Sequence, residues 1–243
     1  MDTSRLTKQA GHFAQDVEDL LTSTICQSAE VTALEAKTPN GLAVVIRTAE
    51  KREEDPAPCY LTVENKKLLV LEVSYKVLLG RDSSYLRVEQ SSFQVKPLKG
   101  APFFRYDYMS RPESMAVPTS HFQIHAHRDE VLHAMYVSAK SRSKGSKKKD
   151  LDPDSPRGLQ MLHFPLGGAR FRPCLEDVIE MLIREFGVDA QLNWEERIKS
   201  GRIAWRHIQL AAAVRDDPET ARSALREVES SGGATDEARL SRY

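Results

Sequence analysis

From residue 68 to residue 79 apolar and polar positions alternate. Leu69, Leu71, Val73, Tyr75, Val77 and Leu79 fall on one side of an extended chain, and Glu72, Ser74 and Lys76 on the other. A period of two marks a strand with one face in the core and one face toward water. Shorter runs at 42–46, 60–63, 85–95, 103–108 and 120–127 predict further strands, and the short links between them favour antiparallel neighbours. The apolar phase of the 85–95 run switches between Val88 and Phe93, which predicts a bulge near Ser91-Ser92. Pro39-Asn40-Gly41 reads as a turn, and residues 51–58, charged and carrying two prolines, as a loop.

Helical spacing flanks this block. Over 4–36, Leu6, Ala10, Phe13, Val17, Leu20, Leu21, Ile25 and Val31 recur at three- and four-residue steps, weakened in the middle by Thr22, Ser23 and Thr24. Residues 159–164 predict a strand and Gly167-Gly168 a turn. Pro173 fits the first position of a helix whose buried stripe is Leu175, Val178, Ile179, Leu182, Ile183 and Phe186, closed by Gly187. A further helix is expected over 201–215, and Asp217-Pro218 opens a shorter one. The order of elements predicts an α+β fold: an antiparallel sheet of five or six strands with helices packed on one face, an N-terminal helix and a helical C-terminal part. One domain is expected over 1–228, with a flexible excursion over about 138–157 and a disordered tail over 229–243.

Charge adds a constraint. Lys and Arg together number 35, as do Asp and Glu, so the net charge is zero. Nucleic acid would have to be held by a local patch, because there is no bulk positive charge to hold it. The basic run Ser141–Lys149 reads as a solvated loop or as a phosphate-backbone contact. Cys26, Cys59 and Cys174 form no CxxC pair and are odd in number, so buried or half-buried free thiols are expected. No apolar run is long enough for a membrane span, and the first residues lead into no signal-peptide core. The expected location is the cytoplasm, without membrane contact.

The chemistry concentrates in the middle of the chain. Five of the seven histidines lie between His121 and His163. In an extended chain His121, Gln123, His125 and His127 line one face, and Phe122, Ile124 and Ala126 the other. Such a face can bind a metal, hold an anion or move protons. In the run Phe103 to Tyr108, Arg105 and Asp107 share a face between aromatic neighbours, either as a surface ion pair or as a phosphate-holding arginine with a carboxylate that orients a histidine. Arg105, Asp107, His125 and His127 are therefore the candidate catalytic residues. The metal question stays open, with His125, His127 and His163 as candidate ligands and a divalent ion as the candidate cofactor. Arg170 and Arg172, beside Gly167-Gly168 and ahead of a helix, are candidate phosphate contacts or simply surface arginines on a turn. Arg202 and His207 match the short R-x4-6-H spacing of HEPN-type ribonucleases, but those domains are all-helical and this chain is rich in strands.

Arg105-Tyr106-Asp107, a proline-marked loop and then His121, His125 and His127 resemble the core of TumE-like toxin-antitoxin proteins and related bacterial proteins, over about residues 65–130. The chain departs from them in its greater length and in its helical C-terminal half with the His163 segment. The resemblance implies a bacterial cytoplasmic protein of a toxin-antitoxin or phage-defence locus. RNA or another phosphate-containing molecule is the implied substrate, and nuclease or phosphotransfer-type activity the implied chemistry. The alternative is a non-catalytic binding or immunity component that pairs with the product of a neighbouring gene.

Overall fold

The computed structural model describes residues 3–39, 41–48, 58–80, 85–112, 114, 117–125, 164–168, 170–233 and 237–242. The alternation that starts at Leu69 lies in the longest strand, β4 (Lys66–Leu79), which organises the sheet around itself. The other strands are β1 (Val31–Thr38), β2 (Gly41–Thr48), β3 (Cys59–Val63), β5 (Leu86–Pro97), β6 (Phe104–Met109), β7 (Ser120–Ile124) and the two-residue β8 (Phe164–Pro165). The expected α+β class holds, with more strands than expected. Among the described residues eight join one sheet in the order β1-β2-β4-β5-β6-β7-β8, with β3 also paired to β4 and every pairing antiparallel.

β2 and β3 share one edge of β4. β2 pairs with it over Ser74–Val77, and β3 over Lys66–Leu71. Between them the ladder is interrupted, and the buried Thr48 side chain fills the gap: the Val73 N–H donates to Thr48 Oγ1 at 3.1 Å. The bulge inferred from the phase switch in β5 is present but lies earlier than expected. Lys76 pairs with Gln90 and Val77 with Val88, so Glu89 is the extra residue.

One face of the sheet is apolar and is covered by α1 (Thr3–Thr24) and α2 (Leu175–Phe186); α3 (Trp194–Asp216) packs on these two helices, and α4 (Pro218–Ser231) and the short α5 (Glu237–Ser241) lie against α3. Leu6, Ala10 and Ala14 of α1 pack on Val44, Ile46 and Val77. Val17, Leu20 and Leu21 join Leu61, Leu71, Val73, Phe93 and Val95 of the sheet and Leu175, Val178, Ile179 and Leu182 of α2. Each fully buried Leu or Ile here contributes about 1.5–3 kcal/mol. Cys26, Cys59 and Cys174 are free and buried. Burial and a hydrogen bond with Cys26 push the Cys59 thiol up, with the hydrogen bond the larger effect.

Three boundaries differ from expectation. The helix expected over 4–36 stops at Thr24, and 31–38 is a strand. Thr22, Ser23 and Thr24 each turn their hydroxyl back onto the carbonyl four residues earlier and form the last turn. The Ala, Leu, Glu and Lys composition of 33–37 favours helix, but pairing with β2 along all of β1 overrides it. Pro173 precedes the N-cap residue Cys174 instead of opening α2, whereas Gly187 caps that helix with φ 64° as expected. α3 begins at Trp194, well before the expected start at 201.

The tail expected to be disordered over 229–243 contains the end of α4 and the turn of α5. The carbonyls of Ser241 and Leu240 accept from Arg202 and Arg206 of α3 at 3.0 and 2.9 Å. The loop expected over 51–58 and the excursion expected over 138–157 lie outside the described residues, apart from Pro58. Among the described residues no helix is long and apolar enough to cross a membrane.

Candidate functional site

β6 and β7 each put aromatics inward and chemistry outward. Phe104 and Tyr106 of β6 and Phe122 of β7 pack against one another on the helix side, with Phe104 reaching Phe186 of α2. Period two therefore sends Arg105, Asp107, His121 and Gln123 to the opposite face. The register then makes the pairs: Arg105 stands opposite Gln123, and Asp107 opposite His121.

The side chains close on one another. Arg105 Nη2 donates to Gln123 Oε1 at 2.5 Å, and Arg105 Nε lies 2.5 Å from Asp107 Oδ2. That Nε makes no directed hydrogen bond, so its pairing with Asp107 is ionic by proximity. Asp107 Oδ2 also lies 3.6 Å from His121 Nε2. The other ring nitrogen, Nδ1, is 2.9 Å from the Pro118 carbonyl. A carbonyl only accepts, so Nδ1 is the donor to Pro118, while Nε2 is turned toward Asp107. His121 is 2% exposed, so solvent hardly reaches it.

His125 follows the end of β7. Its N–H donates to the Phe103 carbonyl at 2.8 Å, which extends the extended backbone by one residue. Its Nε2 is buried and has no hydrogen-bond partner among the described residues. Burial lowers its affinity for a proton below that of ordinary histidine; the Arg105 guanidinium lowers it further, and Asp107 opposes both. A ring shifted in this direction is neutral at pH 7 and keeps a lone pair.

Arg170 and Arg172 do not gather here. Arg172 stacks on the helix side, with its guanidinium carbon 3.8 Å from the Tyr108 ring centroid and 5.7 Å from that of Trp205. Arg170 pairs with Asp216 at the end of α3, at 2.7 Å. Both therefore lie across the sheet from Arg105. His127 and His163 lie outside the described residues, and among the described residues no group of three His, Cys, Asp or Glu side chains is placed to hold a metal. Two partners escaped the sequence reading: Gln123 as the acceptor for Arg105, and His121 instead of His125 as the imidazole beside Asp107. Alternation placed both on the correct face, but only the register of β6 against β7 selects the pairs. Comparison with family models, curated proteins and solved structures gave no match.

Proposed function

We propose that the outward face of β6 and β7 acts on a phosphate-containing substrate, RNA or a nucleotide, in a bacterial toxin-antitoxin or defence setting. One observation carries this reading. The β6–β7 register gathers a guanidinium, a carboxylate and an imidazole on one face at Arg105, Asp107 and His121, with His125 following two residues after Gln123. In this reading Arg105 meets the phosphate, Asp107 holds both Arg105 and the His121 ring, and His125 takes a proton as general base. The test is RNA cleavage and growth inhibition by His125→Ala, alone and combined with His127→Ala, beside the wild type. Loss of activity with an unchanged melting temperature is the expected result. Full activity in the double variant would reject catalysis by this face.

A second reading has its own support. His121 is 2% exposed and the charge of Arg105 is already matched by Asp107, as in a cluster built to hold two strands together. The protein would then be a non-catalytic binding or immunity component. Stable co-elution with the neighbouring gene's product, unaffected by His125→Ala, would favour this reading over catalysis.

A further inference from the structure

The register of successive strands lines up one row of side chains across the outward face: Thr32, Arg47, Ser74, Ser92, Asp107 and His121. The two middle members are small, and those flanking them, Arg47 and Asp107, are charged. Arg47 and Asp107 are three strand spacings apart, about 14 Å at roughly 4.8 Å per strand. Ser74 and Ser92 therefore form the floor of a trough, and Arg47 and Arg105 both border the same hollow above them.

Three further features bear on what the trough accepts. Among the described residues no hydrogen bond engages the hydroxyls of Ser74 or Ser92, so both remain available as donors. The carboxylate that also borders the hollow, Glu72, has both oxygens taken: one by Lys96 and the other by Gln94 Nε2 at 2.7 Å. It therefore repels an anion less than a free carboxylate would. Among the described residues no aromatic side chain lines this hollow, so none of them stacks a nucleobase there.

We infer that the serine-floored trough between Arg47 and Arg105 binds the phosphate group of the ligand. This inference rests on the reading of the β6–β7 face as a phosphate-substrate site and extends it two strands further, to β4 and β2. A carboxylate is planar and is satisfied by one bidentate arginine. A phosphate is tetrahedral and takes donors from several sides, which is what two guanidinium groups and two hydroxyls beneath them offer. The trough recognises the phosphate and leaves the base unread, so binding is indifferent to base identity.

The test is calorimetric titration of the full chain with 5′-AMP, with a ten-nucleotide single-stranded RNA and with adenosine as the phosphate-free control. AMP or RNA binds and adenosine does not. Arg47→Gln and Ser74→Val each weaken binding about tenfold or more, the loss expected for a hydrogen bond to a charged group or for filling the floor. Melting curves monitor the fold, and Ser74→Ala, which removes the hydroxyl without adding bulk, provides a milder second variant. Binding of RNA alone identifies a phosphodiester as the bound group, binding of AMP alone a terminal phosphate; either supports the trough. Binding that survives Arg47→Gln, Ser74→Val and Ser74→Ala yet falls with Arg105→Gln overturns the trough and leaves the proposed function standing. If neither phosphate ligand binds the wild type, both fall together.

Discussion

Asp107 of β6 stands directly opposite His121 of β7, and its Oδ2 atom, 3.6 Å from His121 Nε2, also lies 2.5 Å from Arg105 Nε. One carboxylate thus serves a guanidinium on its own strand and an imidazole on the next. Asp107→Asn removes the charge that both face and keeps the shape. Because Asp107 is only 12% exposed at its side chain, the loss is larger than for a surface pair. The expected destabilisation is about 1–3 kcal/mol by urea unfolding. A change below a few tenths of a kcal/mol would mean that the cluster contributes no more than an exposed pair.

Much of this arrangement is legible in the sequence. Alternation in 68–79 and 103–108 assigned the inner and outer faces, and it placed His121, Gln123 and His125 together. Register was not legible. Residues 110–119 connect β6 to β7, and a connection of that length fixes no pairing. A slip of two residues would have put Asp107 opposite Gln123 without exposing a single aromatic. β1 was misread for a different reason: helix-favouring residues were recruited by an eight-residue ladder whose partner lies across a tight turn. Arg170 and Arg172 carried the right chemistry, but the chain delivers them to the helix side, where Tyr108 and Asp216 take them up.

The His125 ring gives a pH signature. Burial lowers its pKa from 6.5, Arg105 adds to the lowering, and Asp107 opposes it. The folded state therefore binds fewer protons here than the unfolded chain. The contribution to stability is fully present above pH 6.5 and is lost as the pH falls below that value, through the folded-state pKa. His125→Gln removes this part of the acid sensitivity. The shifts also have assignable signs: Arg105→Gln moves the His125 NMR titration midpoint up, and Asp107→Asn moves it down. The opposite order in the two variants would disprove the stated causes.

Thr48 offers a test of how β2 and β3 share one edge of β4. Its hydroxyl is the acceptor for the Val73 N–H where neither strand supplies a carbonyl. Thr48→Val keeps the volume and leaves that buried donor without a partner, at a cost of about 1–3 kcal/mol. Hydrogen exchange should accelerate at the Val73 amide more than at Leu71 or Tyr75. Equal protection at all three would show that Val73 finds another acceptor.

Arg202 ties the C-terminal turn to the helical layer. Its side chain, 3% exposed, donates to Asp177 Oδ1 at 2.7 Å, to Glu180 Oε2 at 2.5 Å and to the Ser241 carbonyl at 3.0 Å. Asp177 is engaged twice, because its other oxygen accepts from the Cys174 N–H at the start of α2. Arg202→Met leaves Asp177 without its ion partner and Glu180 with Arg184 alone, at 2.7 Å, and removing one partner of a buried ion pair costs about 3–5 kcal/mol. It also frees the Ser241 carbonyl, so amide exchange over residues 238–242 should rise. A truncation ending at residue 236 separates the two effects: it removes the α5 contact but keeps both carboxylate pairs, and should cost far less than Arg202→Met. Equal losses in the two variants would place the stabilisation in α5 docking instead of the buried ion pairs.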